Sequence, residues 1–114
     1  MMVLFIFFVL YFIPFTTSLV IQAYAQNKKQ NKKLSKSQIR NYFYLGKRLY
    51  MYKKYKKAIV YFDKVIAADN KHQQAWHYRG GAKHHLRDYN GAINDYTKAI
   101  ELNPKDNYTW YNRG

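Results

Sequence analysis

From Tyr55 to Ala68 the apolar side chains fall at Tyr55, Ala58, Ile59, Phe62, Val65 and Ile66. That is the three- and four-residue spacing of a helix with one buried face. The set returns 34 residues later as Tyr89, Ala92, Ile93, Tyr96, Ala99 and Ile100. Upstream of each lies another helical pattern. Ser35 and Gln38 have the spacing of a capping box, which predicts a first helix from near Gln38 to about Tyr52, with Tyr42, Leu45, Leu49 and Tyr52 on one stripe. Tyr42 and Gly46 come back as Trp76 and Gly80, and once more as Trp110 and Gly114. A 34-residue period of paired helices is the mark of a helix–turn–helix solenoid. The chain therefore reads as all-α, with pairs over 38–71 and 72–105 and the start of a third over 106–114.

The small residues sharpen this reading. Glycine inside a helix costs about 1 kcal/mol relative to alanine, so Gly46 and Gly80 imply close approach by a neighbouring backbone. Ala58 and Ala92, twelve residues on, offer the matching small surface on the second helix of each pair. Tyr42 or Trp76, and Phe62 or Tyr96, fill the space to either side. Asn103-Pro104 stops the second pair, because proline cannot continue a helix. Asp88 can cap the helix that follows it, whereas Lys54 at the same place in the first pair cannot.

The run Trp76, Gly80, Leu86, Asp88-Tyr89, Ala92, Tyr96, Ala99 and Pro104 resembles the tetratricopeptide repeat family. The resemblance covers about residues 39–114. Three positions depart from it: Lys83 stands where the family prefers an aromatic, Arg79 where it often has leucine, and Asn70 where it has proline. It implies an α-solenoid of antiparallel helix pairs stacked right-handed, with two full repeats and part of a third. It also implies a non-enzymatic module whose first helices line a groove for a peptide or a partner's helix. By matched positions that groove would present Arg40, Phe43, Tyr44, Lys47, Tyr50 and Met51 from the first repeat. The second would add Gln74, His77, Tyr78, His84 and His85, and the third Tyr108, Tyr111 and Asn112, with about half of these exposed. One subfamily clamps a C-terminal carboxylate with lysines and asparagines. Here Phe43 and Tyr78 occupy two of those places and only Asn112 matches, so that ligand is not expected. A solenoid needs about three repeats or a capping helix to cover its last face. The expectation is a longer array, a partner, or self-association through the uncapped third repeat.

The amino terminus is different in kind. Met1–Ala25 carries no charged side chain, Val3–Ile13 is unbroken apolar sequence, and Ala23-Tyr24-Ala25 has the A-x-A form of a signal-peptidase site. Export after cleavage near Ala25 is the first expectation. The alternative is an uncleaved anchor, because residues 2–25 as a helix reach roughly 36 Å, enough to span a bilayer. Lys28, Lys29, Lys32, Lys33 and Lys36 follow directly, so residues 1–36 could touch a membrane. Residues 26–37 read as a basic linker.

Charge and composition narrow the chemistry. The net charge is +14. It is concentrated in residues 26–57, with twelve Lys/Arg and no acid, whereas residues 58–114 have eight against six. The basic segment 28–57, with tyrosines interleaved over Arg40–Lys57, allows an alternative reading as a binder of anionic polymer, either nucleic acid or an anionic lipid surface. Nucleic acid is disfavoured, because a charge run is usually solvation and these lysines fall on several helix faces. There is no cysteine, no phosphate loop and no nucleophile elbow, and the six acids are scattered. No catalytic residue and no cofactor is expected. His77 and His84 lie about 10 Å apart along a helix and the His84 and His85 side chains diverge, so no metal site is expected either.

Overall fold

The computed structural model describes residues 17–26 and 33–114. Among these there are six helices and no strand. Residues 17–26 form α1, in an amino-terminal unit that ends at Lys33; its Leu19, Val20 and Ile21 side chains are exposed. The leader or anchor expected over 1–25 falls largely on residues 1–16, and most of the basic linker on 27–32, outside the described residues. Among the described residues no helix is long and apolar enough to cross a membrane.

The body, Leu34–Gly114, holds α2 (Lys36–Met51), α3 (Tyr55–Ala68), α4 (Gln73–His85), α5 (Tyr89–Leu102) and α6 (Asn107–Arg113). Each helix packs on its neighbours in the chain, and α2 also reaches α4. Short turns force successive helices antiparallel. The capping box forms in full: the Gln38 N–H donates to Ser35 Oγ at 3.2 Å, and the Ser35 N–H donates to Gln38 Oε1 at 2.9 Å. Ser35 is thus the cap itself, and the helix begins at Lys36 rather than near Gln38. At the next start Asp88 Oδ1 accepts from the Gly91 N–H at 3.0 Å, while Lys54 gives α3 no side-chain cap. Both first helices end on a left-handed residue, Lys53 at φ 60° and Arg87 at φ 66°. At each, backbone N–H groups fold back onto the last turn, Lys54 to Leu49 and Asp88 to Lys83, both at 2.9 Å.

The core of the first pair is Phe43, Ala58, Phe62, Val65, Ile66 and Ala75, with Ile39, Tyr42, Leu49, Tyr50, Trp76 and Tyr78 packed around it. The buried line of α2 therefore runs through Phe43 and Gly46, whereas Leu45 and Tyr52 of the expected stripe are exposed. The stripe is rotated because α2 must cover α4 as well as α3. The helical glycines make room for rings as well as backbone. A Cβ on Gly46 would stand 2.8 Å from Phe62 Cε1, and one on Gly80 3.0 Å from the Tyr96 ring and 3.3 Å from the Ala92 carbonyl. An aromatic ring from the second helix presses on each glycine, and in the second pair the Ala92 carbonyl lies beside it as well. Ala58, Ala92 and Ala99 are buried, as packing positions should be.

The tryptophans close the turns between repeats. Trp76 Nε1 donates to the Asn70 carbonyl at 2.9 Å and Trp110 Nε1 to the Pro104 carbonyl at 3.0 Å. The turn needs a carbonyl at this place, which asparagine supplies as well as proline does. Arg79 and Lys83, the other departures, serve one buried acid. Arg79 reaches Asp95 through Nε at 2.8 Å and a terminal nitrogen at 2.7 Å, and Asp63 of α3 at 2.7 Å. Lys83 Nζ adds a contact to Asp95 at 3.0 Å. Burial works against the guanidinium, but hydrogen bonds to Asp95 and Asp63 outweigh it and raise the Arg79 pKa.

Candidate partner-binding groove

A cavity of about 310 Å³ opens between α2, α4 and α6. Tyr50 enters from α2, and Tyr78, His84 and His85 from α4. Tyr50 lies across α4 because residue 81 is glycine: a Cβ there would stand 2.9 Å from the Tyr50 hydroxyl. Its ring meets Tyr78 and Tyr55 edge-on at 5.4 and 5.5 Å, while His85 stacks on Tyr55 at 4.5 Å and 6°. Lys47 Nζ sits 5.4 Å above the Tyr78 ring.

Behind the far wall, a hydrogen-bonded chain runs from His77 of α4 to α6. His77 Nδ1 lies 2.7 Å from Thr109 Oγ1, which donates to Asp106 Oδ2 at 2.5 Å; Gln73 Nε2 donates to the same oxygen at 2.6 Å. Because the threonine proton goes to the carboxylate, His77 donates from Nδ1 and keeps Nε2 as an acceptor. Burial lowers the His77 pKa, against the pull of Asp106. Asp106 is itself held low, first by the Thr109 hydroxyl, over an opposing desolvation cost. Burial pushes the Tyr96 hydroxyl up to about 12 and raises Tyr50 as well. At neutral pH the wall therefore presents neutral phenols and a neutral imidazole, and no carboxylate lines it.

Seven expected groove residues line this cavity: Tyr50, His77, Tyr78, His84, His85, Tyr108 and Asn112. Arg40, Phe43, Tyr44 and Gln74 line a second concavity of about 400 Å³ near the starts of α2 and α4, with Lys36, Ile39, Asp69 and His72. Phe43 is otherwise a core residue, 6% exposed and 4.7 Å from the His72 ring. Met51 and Tyr111 are exposed and line neither. Gly81 and Tyr96 belong to the first wall without having been anticipated. Gly81 had a visible signal, since a second helical glycine next to Gly80 implies that something crosses there. Among the described residues no group of three or more His, Cys, Asp or Glu could hold a metal ion.

Residues 74–106 match the model of the tetratricopeptide repeat. Over those residues the chain carries a tetratricopeptide repeat. A second model, the protein prenyltransferase alpha subunit repeat, matches residues 55–82, which are α3 and most of α4, so it registers the same alternation of helices in another frame. Among solved structures the tetratricopeptide body is similar to a chain of the CopN-Scc3 complex, at 25% identity and a TM-score of 0.68 over 71% of this chain and 48% of that one. It is also similar to the TPR2AB-domain:pHSP90-complex of yeast Sti1, at 16% identity and a TM-score of 0.68 over 87% of this chain and 38% of that one. The chain thus spans less than half the length of either. No curated protein matches the sequence.

Proposed function

We propose that this is a protein-interaction module without catalytic activity, which holds a peptide or helix of a partner between α2, α4 and α6. The observation that carries the reading is the cavity itself. It is walled by aromatic bodies with polar tips from three first helices, the residue types that suit recognition. The similar chain at 25% identity belongs to a complex, CopN-Scc3, in keeping with a protein partner. The module is exported, or tethered by residues 1–25; an intact amino terminus on protein recovered from its native cell would exclude cleavage.

Selection of a displayed peptide library on the full-length chain tests the groove. Enriched peptides should lose at least about ten-fold in affinity when Tyr108→Ser and His84→Ser are combined, a loss of about 1.4 kcal/mol. Both residues line the cavity and are exposed, so thermal melting should not change. Peptides that bind wild type and variant equally would place recognition elsewhere.

A further inference from the structure

The two ends of the helix stack are charged differently. At the end formed by the α2–α3 and α4–α5 turns, Arg48, Lys53, Lys54, Lys56, Lys57 and Arg87 are all exposed. None is in an ion pair among the described residues. The acid there, Asp88, is taken by the start of α5. At the opposite end, Lys36, Arg40, Lys71 and Lys105 are offset by Asp69, Glu101 and Asp106. Second, the left-handed positions that favour glycine are filled in both repeats by a cation, Lys53 and Arg87. Third, exposed apolar groups are interleaved with these charges: Met51 is 72% exposed, Tyr52 67% and Leu86 39%. Leu86 meets Lys53, Lys54, Lys56 and Lys57 around one shallow concavity of about 380 Å³, so the two turns present a single surface.

We infer that this end of the stack docks on an anionic phospholipid surface. Cations alone would suit any polyanion. Methionine, tyrosine and leucine side chains projecting between them suit the boundary of headgroups and acyl chains, where apolar groups bury while lysines reach phosphate. The site is separate from the groove, which opens on the inner faces of α2, α4 and α6, so a docked molecule keeps its groove free.

Lysine acetylation read by mass spectrometry tests this on the full-length chain. It compares phosphatidylcholine vesicles with vesicles that also contain phosphatidylglycerol, so that any insertion of residues 1–25 is common to both. Phosphatidylglycerol should slow acetylation of Lys53, Lys54, Lys56 and Lys57 by about five-fold or more, the weight of roughly one lysine at an anionic surface. Lys71 and Lys105 should be unaffected. Combining Met51→Ser with Tyr52→Ser, both at exposed positions, should reduce the protection although every cation remains. Equal slowing at Lys71 and Lys105, or none at the four lysines, would overturn the inference. So would a single-stranded oligonucleotide that protects the four lysines as well at equal phosphate concentration, which would assign the surface to nucleic acid.

Discussion

Leu45, Leu49 and Tyr61 in the first repeat stand 34 residues before Arg79, Lys83 and Asp95 in the second. One pair carries aliphatic and aromatic side chains at these places; the other carries two cations around a carboxylate that is 3% exposed. The whole set has changed together, and each half is self-consistent. A repeat evidently tolerates an ionic layer when every buried charge finds a partner, as Asp95 does with Arg79 and Lys83. Asp63 extends the layer into α3, so the ions tie the second pair to the first. Buried ion pairs roughly break even against apolar packing of equal volume. The expected benefit of the layer is register between repeats more than stability.

Asp95→Ala is the severest way to break that comparison. It leaves Lys83 without a partner and Arg79 with Asp63 alone, and should cost about 3 kcal/mol in urea unfolding. Writing the first repeat into the second, with R79L, K83L and D95Y together, should cost less than the single change; a triple variant weaker than Asp95→Ala would refute the idea of interchangeable layers. The next contrast is alkaline. Phe62 cannot ionise, whereas its counterpart Tyr96 has its pKa raised to about 12 by burial. The folded state therefore holds a proton that the unfolded chain releases near pH 10, so stability falls as pH rises from about 10 to about 12. The loss should be roughly 2–3 kcal/mol, and Tyr96→Phe should remove most of it. Gly46→Ala should destabilise by about 1–2 kcal/mol despite better helix propensity, because the Phe62 ring it strikes is fully buried. Gly80→Ala, which meets its ring slightly farther off, should cost less. The smallest effect repairs an asymmetry: Lys54→Asp supplies the missing cap of α3 and should add about 1 kcal/mol, with no gain if the cap does not form.

Sequence pattern carried the helix pairs well. Tyr55–Ala68 begins and ends where its apolar spacing placed it, because a helix with one covered face shows a clean period. The first helix, α2, is less legible, because it is covered on two sides and its apolar residues spread around the cylinder. Spacing could not tell that Phe43 turns inward while Leu45 stays at the surface; that depends on the angle at which α4 crosses. The ionic layer was legible only in pieces. Arg79 and Lys83 stood out as departures, but their joint partner lies on another helix, and nothing local in the chain points to Asp95. Tyr96 behaves similarly: its spacing fixed it as a packing residue, and only the fold shows that its ring also forms part of the wall beside His77, 5.7 Å away.

The two indole N–H groups sit at successive seams of the stack, one on the Asn70 carbonyl and the other on the Pro104 carbonyl. The sequence contains no further tryptophan, so each junction has its own built-in fluorophore. Replacing either by phenylalanine leaves emission from a single seam. The order in which the stack comes apart is then an optical observable, needing no attached dye.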